Sequence, residues 1–250
     1  MSFVHLHNHT HYSLLDGLTN IDDFIKKAKE QGSPALAITD HGVMYGAIEF
    51  YKKCKKAGIK PIIGVELYLA PNSRHDKNTK EDARNFHILL LAKNNIGYQN
   101  LIKLVSLAHL EGFYYKPRID DSLLSQNTSG LICLSACLAG EIPSLHLRGK
   151  DDEARAKALW YREIFGKDNF YLEIQDHGIP EQKSVNKFLA ELSRSEGIPL
   201  AATNDSHYIY REDANAQDIL ICIGTNKKKN ETNRMKFPSD EFYLKTPEEM

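Results

Sequence analysis

This sequence predicts an α/β protein built as a closed (β/α) barrel, on three observations. First, the segments "QGSPALAITDH", "AGIKPIIGVE" and "EGIPLAATNDSH" echo one another. In each, a helix stops at glycine, a proline leads into an apolar strand, and an acidic residue stands at the strand's end. Second, short apolar runs alternate with amphipathic stretches along the chain, the pattern of a parallel sheet flanked by helices; about seven such runs suit a barrel better than a doubly wound sheet. Third, no GxGxxG or GxxxxGK[ST] loop follows any run, which counts against the nucleotide-binding doubly wound folds.

In chain order, "FVHLHNH" (3–9) reads as the first strand because its side chains alternate, a helical pattern follows over 20–31, and "ALAITDH" carries the second strand. The helix over 46–57 has an apolar stripe, Ala47, Phe50, Cys54 and Ala57, and "PIIGVE" after it is the third strand. "FHILLLA" (86–92) is the fourth, followed by a helix over 97–110. "GLICLSAC" (130–137) and a helix over 153–165 come next, then "FYLEIQDH" (170–177) and a helix over 181–196. "PLAATNDSH" ends the set.

Composition bounds the function. The chain has 250 residues, 42% hydrophobic and 26% charged, enough for one sizeable core. Its formal net charge is −1, so any contact with nucleic acid has to come from a local patch. Four cysteines, Cys54, Cys133, Cys137 and Cys222, are too few for a disulfide scaffold, and the sequence shows no leader and no long apolar run. A reducing cytoplasm, with no membrane contact, is the expected setting. Cys54, Cys133 and Cys222 read as small core residues. His75, His109 and His146 read as solvated, and so do the lysine runs "KKCKK" and "NKKKN", although the second run is also positioned to touch phosphate.

A parallel barrel gathers the C-terminal ends of its strands at one face, where active sites are built. His7 and His9 close the first strand, with Asp16 in the loop after it; Asp40 and His41 close the second and Glu66 the third. His87 opens the fourth, Cys137 ends the fifth, and Asp205 and His207 end the last. The alternation in "HLH" directs His7 and His9 to one side, and "DSH" does the same for Asp205 and His207. Imidazole, carboxylate and thiolate are the ligands of zinc and neighbouring first-row metals, and a cluster this rich suggests two or three ions. Cys137, just past its apolar run, reads equally as a ligand and as packing.

The motifs "HLHNHTHYSLLDG", "ITDHG", "IIGVELY", "HILLLAKN", "LSACLAGEIP", "YLEIQDHG" and "ATNDSHYI" together resemble the polymerase and histidinol phosphatase (PHP) domain family. "GYQNLIKLVS", "YKPRID" and "FYLKTPEEM" are similar to the form of that domain found at the N-terminus of bacterial replicative DNA polymerase III alpha subunits. The resemblance implies a distorted seven-stranded, TIM-like (β/α) barrel over residues 1–210, with 211–250 a helical and extended segment leading toward a polymerase body. It implies two or three divalent ions, zinc, manganese or iron. His7, His9, Glu66 and Asp205 would hold one, Glu66 would bridge to a second held by His87 and Cys137, and Asp16, His41 and His207 would hold a third. Gln217 stands where relatives often carry histidine.

The implied activity is metal-dependent phosphodiester hydrolysis, a 3′→5′ proofreading exonuclease on DNA 3′ ends, with His11 or His177 protonating the leaving group or bracing the site. The implied partners are DNA, the rest of the alpha chain and other replisome subunits. Two other readings stay open: a structural module that stabilises the polymerase or docks a proofreading subunit, and a phosphate monoesterase of the histidinol phosphatase type.

Overall fold

The computed structural model describes residues 2–250. Helix α1 (Ile21–Glu30) starts where the Asn20 side chain accepts the Asp22 amide, has acids in its first turn and lysines in its last, and buries Ile21, Phe24, Ile25 and Ala28 along one stripe. Strand β1 (Ala35–Ile38) is wholly buried, and helix α2 (Ala47–Ala57) ends at Gly58 in the left-handed conformation, φ 79°. Strands β2 (Lys60–Leu69) and β3 (Phe86–Ala92) follow, then helix α3 (Asn95–Leu110), capped by the Asn94 side chain on the Gly97 amide. A two-residue strand β4 (Arg118–Ile119), helix α4 (Asp121–Ser125), strand β5 (Leu131–Leu134) and helices α5 (Glu141–Leu147) and α6 (Asp151–Phe165) come next. Strand β6 (Phe170–Ile174), helix α7 (Pro180–Glu196), strand β7 (Leu200–Ala202) and helix α8 (Ala214–Thr225) complete the chain.

The seven strands form one curled sheet in the order β1-β2-β3-β5-β6-β7, with β4 paired to β2 off that path. This is the expected α/β barrel, distorted in three places. Strand β3 runs antiparallel to both β2 and β5, whereas a parallel strand was expected. No helix lies between β2 and β3, and without a crossover the chain returns antiparallel. Strand β4, parallel to the end of β2, was not foreseen. Residues 3–9, expected as the first strand, form no ladder and contribute one bridge, Asn8 to Ser206. The Asn8 amide donates to Thr39 Oγ1 and Ser206 Oγ to Asn8 Oδ1, so side chains replace ladder bonds.

That segment still closes the barrel. On one side the Ala37 amide donates to the His5 carbonyl and the Thr39 amide to that of Asn8; on the other, the His9 amide donates to Ser206 and the Ser206 amide to His7. The main core lies between β2, β3, β5 and β6 and the helices α3, α6 and α7, around Leu67, Leu90, Leu104, Ala158 and Leu189. After α8 the chain returns to the barrel: Asn204 Nδ2 donates to the Glu241 and Tyr243 carbonyls, and the Leu244 amide to Tyr208. Among the described residues no helix is long and apolar enough to cross a membrane.

Helix α3 approaches the β5 turn so closely that a Cβ on Gly97 would sit 1.8 Å from the Gly130 carbonyl oxygen. Gly97→Ala therefore has to push α3 off the sheet. We expect it to cost about 1–3 kcal/mol, the range for overpacking, read as a lowered urea midpoint at unchanged m-value.

Candidate metal centre

Because β3 is antiparallel, its N-terminal end lies at the same face as the C-terminal ends of β1, β2, β5, β6 and β7. His87, the second residue of β3, thus meets ligands from strands running the other way. Glu66 is at the centre, 1% exposed. Its Oε1 is 2.9 Å from His87 Nδ1 and 3.3 Å from His7 Nε2; its Oε2 is 2.7 Å from His41 Nδ1 and 3.5 Å from His9 Nε2. Asp205 Oδ1 lies 3.3 Å from His7 Nε2 and 3.0 Å from His9 Nε2. Asp16 Oδ2 is 2.8 Å from His41 Nε2 and 3.9 Å from His207 Nε2, and Cys137 Sγ is 3.8 Å from His87 Nδ1. All nine expected ligand residues meet in this one cluster.

Three groups of donor atoms lie within 4.8 Å of one another: those of His7, His9 and Glu66, those of His41, Glu66 and His87, and those of His9, His41 and His207. Five buried atoms here stand 2.7–3.5 Å from one another yet none makes a well-aligned hydrogen bond: Nε2 of His7 and of His9, Nδ1 of His41, Oε2 of Glu66 and Oδ1 of Asp205. Leaving such groups unsatisfied costs roughly 1–3 kcal/mol each, and these five face one another, which is what divalent cations resolve. The donor set fits divalent metal.

The charges agree. Burial works against protonated His7, but Asp205, Glu173 and Glu66 outweigh it and hold it well above the usual imidazole range. Burial is likewise outweighed at His41, which Glu66 and Asp16 raise to about 10. His9, buried beside His41 and His207, falls to about 3. Burial would raise Glu66 and Asp205, yet the surrounding histidines hold both carboxylates below their ordinary range.

A second layer of polar residues aims these side chains, and of it the sequence reading named only Asp40, at a strand end. Glu173, on β6, is buried; its Oε1 accepts from His7 Nδ1 at 2.6 Å, which leaves His7 Nε2 pointing into the cluster. Gln175 Nε2 also donates to Glu173 Oε1, and the Glu173 amide donates to Ser135 Oγ. Its signal was available: "YLEIQ" puts a carboxylate in the middle of an otherwise apolar strand. Asp40 accepts from the Thr10 amide and hydroxyl and from Ser13 Oγ, which in turn is 3.1 Å from His9 Nδ1. Such partners fix the ring orientation of a metal-binding histidine. Backbone strain gathers here as well: the non-glycine residues of positive φ include Leu15 beside Asp16, Ala136 beside Cys137, and Asp205 itself.

The profile of the PHP domain family matches residues 5–177. The chain belongs to this family. The alpha subunit of DNA polymerase III from Treponema pallidum is 54% identical over 251 residues, covering 100% of this chain and 22% of that protein. Those of Borreliella burgdorferi and Thermus aquaticus are 53% and 50% identical, over 99% and 100% of the chain. The chain thus spans about a fifth of the length of the relatives it matches. In fold, it matches a solved metal-dependent phosphoesterase of Bifidobacterium adolescentis with a TM-score of 0.50 at 14% identity, over 82% of this chain and 88% of the other.

Other residues of the PHP domain singled out in the sequence lie outside the cluster. His11 packs on Tyr12, with Nδ1 3.3 Å from the Thr19 carbonyl. His177 is fully buried and stacked on Phe242; its Nε2 donates to the Asn204 carbonyl and its Nδ1 accepts from Gln182, so neither nitrogen is available to hand a proton to a substrate. Cys54, Cys133 and Cys222 are buried core residues. His75 and His109 are exposed, while His146 is half-buried between Asp151 and Ser184. Lys227 pairs with Glu231, and Gln217 donates to the Asp16 carbonyl, holding the loop of that ligand. A cavity of about 710 Å³, lined by Leu6, Ile62, Leu91, Ile132 and Tyr171, includes none of the nine residues of the cluster.

Glu173→Gln keeps the shape but removes the charge behind His7. It is expected to weaken metal binding about 10- to 100-fold in a competitive chelator titration, with circular dichroism unchanged. Because His7 and His41 are held protonated until a cation replaces their protons, loading near pH 7 should release protons and affinity should rise with pH. The buffer dependence of the binding enthalpy measures that release. Chelation should lower the melting temperature, since ligand at several hundred times Kd adds on the order of 3–4 kcal/mol.

Proposed function

We propose that this chain is the PHP domain of a bacterial replicative DNA polymerase III alpha subunit and that it hydrolyses phosphodiester bonds at DNA 3′ ends, as a 3′→5′ proofreading exonuclease. The observation that carries the reading is the convergence of nine ligand-type side chains, five buried atoms of which face one another without a well-aligned hydrogen bond. The similarity to DNA polymerase III alpha subunits over the whole chain supports the choice of DNA.

His7, His9, Glu66 and Asp205 would hold one ion, Glu66 with His87 and Cys137 a second, and Asp16, His41 and His207 a third; zinc, manganese and iron suit this mixture of imidazole, carboxylate and thiolate. Bound there, two or three such ions supply an acidified water and neutralise phosphate charge. The chain's own residues hold the geometry. Glu173 orients His7, and Asp40 with Ser13 orients His9. Of the two histidines expected to protonate the leaving group, we assign the role to His11, whose Nε2 has no partner among the described residues; His177 braces the Asn204 turn.

One feature favours a purely structural role for the same ions: the ligands come from both ends of the barrel sequence, His7 to Asp16 and Asp205 to His207, so any bound cation ties those ends together. Asp205→Asn separates the two readings. Asparagine tolerates the left-handed backbone that Asp205 adopts, φ 43°, and removes one negative ligand oxygen. Hydrolysis of mismatched 3′ ends by manganese-loaded protein should fall by roughly 100-fold or more while circular dichroism is unchanged. Wild-type protein that is fully loaded yet no faster than this variant would leave the structural role alone.

A further inference from the structure

The loop between α3 and β4, "EGFYYKPR", stands at the mouth of the metal cleft. The His109 ring, one turn before it, hydrogen-bonds the Gly42 carbonyl next to His41, at 3.0 Å. Lys116 Nζ lies 5.2 Å over the Tyr68 ring, and that ring is 5.2 Å from the His87 ring and 6.0 Å from the His41 ring. The loop is therefore one side chain removed from the ligands. On it, Phe113 is 53% and Tyr115 74% exposed, with Tyr114 packed edge-on against Tyr115 at 4.7 Å. Tyr115 has φ 59°, a backbone conformation that a bulky residue rarely adopts, so the fold holds this ring outward at a cost.

The loop is rigidly mounted. The Arg118 side chain is fully buried, and its guanidinium donates to the carbonyls of Gly112, Arg74, Asp76 and Asp82. One residue thus locks the aromatic loop to the 70–85 connection between β2 and β3, which crosses the same face. Of the acids in these two segments, Glu111 and the neighbouring Asp120 pair with Arg74, Asp76 and Asp82 accept backbone amides, and Glu81 is exposed. Lys77, Lys80, Arg84 and Lys116 are exposed, and none has an ion-pair partner among the described residues. In a chain of net charge −1, residues 70–85 and 111–120 carry six cations against five acids, and the four unpaired cations lie on the same two segments as the exposed rings.

We propose that Phe113 and Tyr115, with Lys116 and Arg84, form a platform for single-stranded DNA, the rings stacking on bases and the cations on phosphates, which leads a frayed 3′ end into the cleft. The platform rests on the exonuclease reading above and gives it a substrate preference: single strands and mismatched ends over paired ones. Aromatic faces stack on any base, and exposed cations follow the backbone, so binding is tolerant of sequence and sensitive to salt. The unpaired cations beside exposed rings complement a chain that offers both phosphates and bases, and this selects single-stranded DNA as the occupant.

The test is fluorescence anisotropy of a labelled dT12 strand, with 3′ phosphorothioate linkages to suppress cleavage, on the metal-loaded 250-residue chain. Tyr115→Ala and Phe113→Ala should each weaken binding about 5- to 100-fold, the range for one lost base–aromatic stack, while Tyr115→Phe binds as wild type. Lys116→Ala should lower the slope of log K against log salt by about 0.7. Circular dichroism and metal content serve as controls, and both rings are surface positions. Alanine variants that bind dT12 as well as wild type, or wild-type protein that does not bind it, would overturn the platform. Turnover of bis(p-nitrophenyl) phosphate by wild-type protein, a substrate too small to span the rim, tests the phosphoesterase reading separately. If the ester is not cleaved but the variants still lose dT12, catalysis fails and the platform stands.

Discussion

One buried carboxylate sets the terms for this domain. Glu66 faces His7 and His87 with one oxygen and His41 and His9 with the other, and it is all but inaccessible to water. Burying a charge is costly unless it is paired, and pairing it with four imidazoles brings in more buried polar atoms that need partners of their own. The Asp16 carboxylate meets part of that need, 2.8 Å from His41 Nε2. The atoms still unpartnered are concentrated where cations would sit, so the cluster makes chemical sense as a ligand cage more than as an ion-pair network.

The distortions of the barrel follow from assembling that cage. A uniformly parallel sheet would have placed His87 at the far end of its strand; the helix-free return from β2 to β3 brings it beside Glu66. Residues 5–9 give up regular pairing, and in exchange Thr39 Oγ1 holds the Asn8 backbone and Ser206 Oγ the Asn8 side chain, so that His7 and His9 are both held inward. Positive φ at Leu15, Ala136 and Asp205 marks where the backbone bends to present Asp16, Cys137 and Asp205. The remaining constraint is aim, supplied by Glu173 behind His7 and by Ser13 and Asp40 behind His9.

The C-terminal segment is tied to the same construction. Asn204, one residue before Asp205, donates to the backbone of Glu241 and Tyr243, and the His207 amide donates to the Phe242 carbonyl. Phe237 stands edge-on to the His207 ring at 4.8 Å, and His5 hydrogen-bonds the Lys245 carbonyl. Residues after 210 therefore wall one side of the cleft, while the aromatic loop and its cations stand on another.

By itself the sequence determined what depends on neighbours in the chain. Glycines after helices, the stripe that buries Cys54, and the imidazoles, carboxylates and thiol at the strand ends were all legible, because turns and periodicity are local. The family was legible too, since its motifs are short and ordered. The tertiary structure alone decided the direction of β3, the irregular pairing of 3–9 and the existence of β4, because strand pairing depends on partners far away in the chain. It also decided that Glu173 belongs to the site and that His177 has both nitrogens engaged. A carboxylate or an imidazole reads the same in sequence whether it faces a ligand or a carbonyl; which one it meets is settled only when distant strands are brought to within about 3 Å, the range over which hydrogen bonds act.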